Sequence, residues 1–158
     1  DPLYLYWKAR QHGFKSRFIK LASEVTNYMP EYVVERLFGI LGKNKKELKK
    51  CKVLILGVTY KKDIFDLRKS PALDIIEILL KNKIKVEYYD PLAPYLKFEK
   101  INLKSVVLNK EKLKFFDCVI IATDHSNIDY GLILKNSKLI FDTRNAYKGE
   151  RNKKIVKL

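Results

Sequence analysis

The sequence is poor in the residues that build most special chemistry. It holds two cysteines, Cys51 and Cys118, far apart and without CxxC spacing. Such spacing supports neither a zinc site nor a disulfide framework, and it suits a reducing cytoplasm. Its two histidines, His12 and His125, are too few for a metal centre unless several carboxylates converge on them, so no metal is expected. No apolar run approaches the roughly 18 residues of a membrane span, so no membrane partner is expected. The first residues are polar and aromatic rather than basic and then apolar, so no signal peptide is expected. The chain opens at Asp1 rather than at a methionine, as a processed chain or a piece of a longer one would.

Acidic residues are also scarce: 18 against 33 basic ones, a net charge of +15. That balance suits polyanions such as nucleic acid, or phosphate-bearing small molecules. Many lysines, however, fall in KNKKELKKCK and RNKKIVK, which read as solvated faces and turns. Nucleic acid is therefore not the expected partner.

What is present is an alternation of periods. At 158 residues and 47% hydrophobic, the chain can bury one full core with an appended element. Phe14, Phe18, Leu21, Ala22 and Val25 recur at helical spacing. The stripe resumes at Met29, Val33, Val34, Leu37, Phe38 and Leu41, with Pro30 between, so residues 14–41 read as two helices or one kinked helix. Gly42 and the basic run after it end that element. KVLILG, 52–57, then reads as a strand buried on both faces. Ser70-Pro71 reads as a helix start, with Ser70 as cap. Strands are expected at 85–90, 117–123 and 138–144, and short helices near 109–116 and 128–136. This is the pattern of a parallel sheet with helices on both faces.

Ligands of such sheets bind beyond the carboxyl ends of the strands, here after Gly57, Asp90, Thr123 and Asp142. The first of these places holds GVTYKKDIFDLRKSP, residues 57–71. It lacks a glycine-rich phosphate loop, because Thr59 and Lys62 stand where glycines would be needed. Lys61, Lys62 and Arg68 can hold a phosphate instead by side-chain cations. Thr123-Asp124-His125-Ser126 and Asp142-Thr143-Arg144-Asn145 end two further strands. The residues alone thus point to a phosphorylated small molecule.

VLILGVTYKKDIFDLRKSPALDIIEILL, followed by VEYYDPLAP, VIIATDHSNIDY and LIFDTRNAYKG, resembles the carboxyl-terminal domain of the UDP-glucose/GDP-mannose dehydrogenase family. DPLYLYWKARQHGFKSRFIKLASEVTNYMPEYVVERL resembles the segment after the catalytic cysteine, with the central helix that links two Rossmann-like domains and builds the dimer. The resemblance implies residues 1–46 as a helical linker and dimerisation segment, and 47–158 as a Rossmann-like UDP-sugar-binding domain. It implies oxidation of a nucleotide-sugar 6-hydroxyl to a carboxylate, with NAD and through a cysteine thioester. That cysteine and the amino-terminal NAD-binding domain fall outside this chain. Asp1 matches the aspartate that assists proton transfer. Tyr60, Lys61 and Arg144 match substrate contacts, and Arg68 matches a contact to NAD. Asp63 and Asp66 are expected to orient these cations. The sugar is expected to be UDP-N-acetylglucosamine first and UDP-N-acetylmannosamine second. The competing expectation is a stand-alone nucleotide- or nucleic-acid-binding module.

Overall fold

A computed structural model describes residues 2–42, 45–98 and 101–158. Its centre is a five-stranded, fully parallel sheet. The strands are β1 (Lys52–Leu56), β2 (Lys85–Tyr89), β5 (Cys118–Ile121), β6 (Ile140–Asp142) and β7 (Ile155–Lys157), in the order β2-β1-β5-β6-β7. β1 is buried on both faces, as its unbroken apolar run requires. Val53 and Ile55 enter one core, while Leu54 and Leu56 enter the other.

The first core lies under α4 (Pro71–Lys81) and α2 (Arg17–Leu41). α4 buries Ala72, Leu73, Ile75, Ile76 and Leu79, one broad helical stripe. It begins at Pro71, as expected, but the capping expectation for Ser70 is only half met. Ser70 holds the N-cap position, yet its hydroxyl makes no cap bond and is buried without a hydrogen-bond partner. The second core lies under α5 (Lys110–Phe115) and α6 (Tyr130–Asn136), capped by the Asn109 and Asp129 side chains.

α2 is a single helix that runs through Pro30 and stops at Gly42, whose φ of 58° is the left-handed turn expected of a C-terminal glycine. Its two halves have different surroundings. Pro30, Val33, Val34 and Leu37 are buried, and the last three join the core under α4. Phe18, Leu21 and Val25 are exposed, Phe18 at 87%, and so is Phe14 just before the helix. Leu3, Tyr4, Leu5 and Trp7 on α1 (Pro2–Gln11) are exposed as well. Val34 and Phe38 therefore serve this chain's own core rather than a free apolar stripe.

Two elements depart from the expected pattern. Tyr95–Phe98 and Ile101–Lys104 form an antiparallel pair, β3 and β4, which seats Leu96 and Ile101 in the first core. The terminal basic run is not simply a solvated face, because Ile155–Lys157 pairs with β6 as an edge strand. Lys154 Nζ donates to the Leu134 and Lys135 carbonyls near the end of α6, where a cation is favoured. Lys153 remains exposed.

From β1 the chain goes outward to β2, then returns to place β5 on the other side of β1. The crevice between β1 and β5 is thus the point where the winding reverses, the usual ligand position of such sheets. Gly57 makes this junction possible. Its φ is +76°, and a Cβ there would lie 2.3 Å from the Thr123 carbonyl oxygen. Gly57→Ala is expected to destabilise the chain by roughly 2–5 kcal/mol, the left-handed penalty plus the overlap. Chemical denaturation checks this; a variant within about 0.5 kcal/mol of the parent would mean that the two strand ends separate freely.

Candidate functional site

The carboxyl edge of the sheet is organised by one buried aspartate. Asp90 follows β2 and is 2% exposed. Its Oδ2 accepts the Val58 N–H at 2.6 Å and the Thr59 N–H at 3.3 Å, and lies 3.1 Å from His125 Nε2. Its Oδ1 accepts the Leu92 and Ala93 N–H groups at 2.8 and 3.1 Å. These bonds replace the water that a buried carboxylate would otherwise lose. One side chain thereby ties together the loops after β1, β2 and β5.

His125, fully buried, is the second member of this network. Its Nδ1 accepts the Asp63 N–H at 3.0 Å, so Nδ1 is the unprotonated nitrogen. Nε2–H then donates toward Asp90 Oδ2 and Thr59 Oγ1, each at 3.1 Å. The Thr59 hydroxyl donates in turn to the Lys61 carbonyl, and the Thr123 hydroxyl donates to the Thr59 carbonyl. Asp63 sits in the left-handed region at φ 59°. Its carboxylate accepts the Ser126 N–H and hydroxyl at 2.8 and 2.7 Å, bonds that hold its pKa below the ordinary value. Asp63 thus fastens loop to loop rather than orienting a cation.

Asp66 does orient one. Arg68 donates Nε–H and Nη2–H to its two carboxylate oxygens, both at 2.9 Å. Those bonds and the Arg68 backbone N–H bring the Asp66 carboxyl down to about 2. The Arg68 side chain remains 89% exposed, so the guanidinium N–H groups not bonded to Asp66 face outward. Between them the loop doubles back: the Tyr60 N–H donates to the Asp66 carbonyl at 2.7 Å, and Lys61 bridges to Ile64. Tyr60 and Lys61 are both exposed, with Lys61 Nζ 5.9 Å from the Tyr60 ring centre. Tyr60 also borders a groove of about 1030 Å³ beside α2 and α4, with Leu3, Ile19, Pro30 and Ile78.

The end of β6 repeats the aspartate device. Buried Asp142 accepts the Arg144, Ala146 and Tyr147 N–H groups, which shapes the loop that presents Arg144. Arg144 Nε lies 3.4 Å from Asp124 Oδ1, an exposed pair. Tyr147 donates its hydroxyl to the Tyr130 carbonyl, and Tyr130 donates to the His125 carbonyl. Burial raises the pKa of both phenols, so they stay protonated donors. Tyr60, Lys61, Arg68 and Arg144 thus all stand on loops that leave one edge of the sheet. Asp1 lies outside the described residues.

Sequence reading missed the framework beneath these cations. Asp90-Pro91 reads as a strand stop, and His125 has no pattern that marks it as buried. The only signal was that each strand ends on a polar residue, Asp90, Thr123 or Asp142.

Two chemistries find no support in these residues. Thr123 leaves no room for a Cβ at Gly57, and the Val58 and Thr59 N–H groups are spent on Asp90 rather than presented as a phosphate cradle. Neither thiol suits nucleophilic attack. Both cysteines are buried, and burial pushes the Cys118 thiol up to about 12.

A family model described as the UDP-glucose/GDP-mannose dehydrogenase family, UDP binding domain, matches residues 54–149. The UDP-N-acetyl-D-mannosamine dehydrogenase of Methanococcus maripaludis is 31% identical over 153 residues, 92% of this chain and 33% of that protein. The UDP-glucose 6-dehydrogenase of Rickettsia conorii is 30% identical over 165 residues, 98% of this chain and 37% of that protein. A solved UDP-glucose dehydrogenase from Pyrobaculum islandicum superposes with a TM-score of 0.77 at 25% identity, over 98% of this chain and 35% of that one. The chain thus spans about a third of the length of the relatives it matches. The matched domain contains the carboxyl ends of β1, β2, β5 and β6, and on that ground the chain belongs to the UDP-glucose/GDP-mannose dehydrogenase family and carries its UDP-binding domain.

Proposed function

We propose that this chain supplies the UDP-sugar grip of an NAD-dependent nucleotide-sugar 6-dehydrogenase. The observation that supports it is the pair of loops after β1 and β6. Each is shaped by buried polar anchors and carries an exposed cation, Lys61 and Arg144. A diphosphate brings negative charge to Lys61 and to Arg144, whose guanidinium otherwise pairs with the exposed edge of Asp124. Lys61 Nζ makes a point-charge contact and Arg144 a planar fork, so the two can grip different parts of one substrate. Tyr60 offers a ring face beside Lys61. The anchors hold these groups in place before the ligand arrives, which lowers the ordering cost of binding.

The substrate class is a UDP-N-acetylhexosamine. UDP-N-acetylglucosamine and UDP-N-acetylmannosamine are the two candidates, and the name of the Methanococcus relative lends weight to the second. NAD is held by another part of the enzyme, with the outward N–H groups of Arg68 as this chain's contribution. Asp1 assists proton transfer there. Residues 1–46 serve as linker and dimerisation segment, and 47–158 as the binding domain. The exposed residues Phe14, Phe18, Leu21 and Val25 support the dimer, because an apolar patch of that extent ordinarily finds a partner.

Four outcomes follow. In the intact enzyme, Lys61→Ala and Arg144→Ala each weaken UDP-sugar binding about tenfold to a hundredfold, the loss of one charge-assisted bond or roughly 1.5–3 kcal/mol. Lys153→Ala leaves it unchanged, and Arg68→Ala raises the KM for NAD more than that for sugar. Kinetics with each ligand varied, for both N-acetyl sugars and UDP-glucose, read all of this. Equal small effects everywhere would mean that the positive charge is diffuse. The 158-residue chain alone forms no NADH from a UDP-sugar and NAD, since neither of its thiols can attack; measurable turnover would refute that assignment. Finally, sedimentation should find the chain dimeric and Phe18→Asp monomeric, whereas a parent that stays monomeric at high concentration removes α2 as the interface.

A further inference from the structure

His125 is a member of the network whose two ring nitrogens play opposite roles, one accepting and one donating. Its ring holds the 59–63 turn from two sides. Nδ1 accepts the Asp63 N–H at 3.0 Å, while Nε2 reaches Thr59 Oγ1 at 3.1 Å, and that hydroxyl holds the Lys61 carbonyl at 2.9 Å. Lys61 lies between the two grips. Asp63 is a non-glycine residue at φ 59°, a conformation that costs about 1 kcal/mol or more and persists only where its surroundings impose it. The imposing partners are His125 on its N–H and Ser126 on its carboxylate.

We infer that His125, as the neutral Nε2–H tautomer, is a positioning residue that holds the Lys61–Asp63 turn in its binding shape, and that a proton on Nδ1 dismantles the turn. The inference rests on Lys61 being a substrate contact. A proton on Nδ1 would set two donors face to face, the imidazolium N–H and the Asp63 N–H, on a ring that is itself fully buried. A carboxylate oxygen, Asp63 Oδ1, lies 3.6 Å from Nδ1. That is beyond hydrogen-bond length, so taking the proton's bond requires Asp63 to move against its bonds to Ser126. Either response shifts the turn.

The charged groups around the ring are accounted for. Asp90 faces Nε2 from the end of β2, Asp63 faces Nδ1 from the β1 loop, and Lys62 stands beside Asp63. Asp124 adjoins His125 in the chain and is paired with Arg144. From α6, Tyr130 reaches only the His125 carbonyl. The two carboxylates attract an imidazolium, but neither removes the clash at the Asp63 N–H. The change is therefore a rearrangement that follows protonation of Nδ1: with the proton on, the turn is remodelled, and with it off, the binding shape holds.

The test is NMR on the 158-residue chain, with UDP as probe. At neutral pH the ring nitrogens should report the Nε2–H tautomer. As pH falls, the Asp63 and Lys61 amide signals should move with the same midpoint as the His125 ring, and UDP affinity should fall about tenfold across it. His125→Asn keeps an acceptor near the Nδ1 position and carries no titrating group. Its Asp63 amide should stay in place through the same range, a result that mere loss of packing would not produce. An Nδ1–H tautomer, or a ring that titrates while the Asp63 amide stays still, overturns the inference. If the amides follow His125 but UDP does not bind at any pH, the clamp stands and the substrate reading falls.

Discussion

A carboxylate stripped of water and surrounded by donors is the constraint on which this edge of the molecule depends. Asp90 accepts from Val58, Thr59, Leu92 and Ala93 and faces His125 Nε2. Without those donors its burial would cost several kcal/mol. With them, the loops after three strands are held in one arrangement. Buried, fully bonded polar networks of this kind act as specifiers of geometry rather than as sources of stability. Asp142 applies the same device one strand further along, and Lys157 on β7 reaches Asn145 Oδ1 at 2.8 Å to brace that loop.

The network separates two kinds of charge. Asp90 and Asp142 are buried and turn their oxygens to backbone donors. Lys61, Arg68 and Arg144 are exposed and supply the positive field. Asp66 and Asp124 pair with the two arginines without covering them, so these exposed pairs orient more than they stabilise. Both thiols are buried, and the Val58 and Thr59 N–H groups are spent on Asp90.

The centre of the sheet was legible because β1 and β5 are buried on both faces and carry continuous apolar runs. VLIL and CVII could hardly be anything else. Element ends were less so. The expected strand 117–123 shrinks to Cys118–Ile121 because the Asp117 carboxylate turns to the Lys52 N–H, and the Ala122 and Thr123 N–H groups turn to the Leu56 carbonyl. β7 was hidden because lysines flank its apolar pair, and only the neighbouring β6 makes KKIVK a strand. The exposed cations could be placed from strand ends and resemblance. The anchors could not, since a lone Asp-Pro or a lone histidine carries no periodicity, and burial is settled by contacts distant in sequence. His125 and Thr59 are 66 residues apart.

The central claim is that the UDP moiety is held at the carboxyl edge of this sheet. Chemical-shift mapping of UDP on the isotopically labelled chain tests it most directly. The account predicts shifts confined to residues 58–70, 123–126 and 142–145. Shifts centred instead on the opposite edge, around Lys52, Lys85 and Lys114, would contradict it.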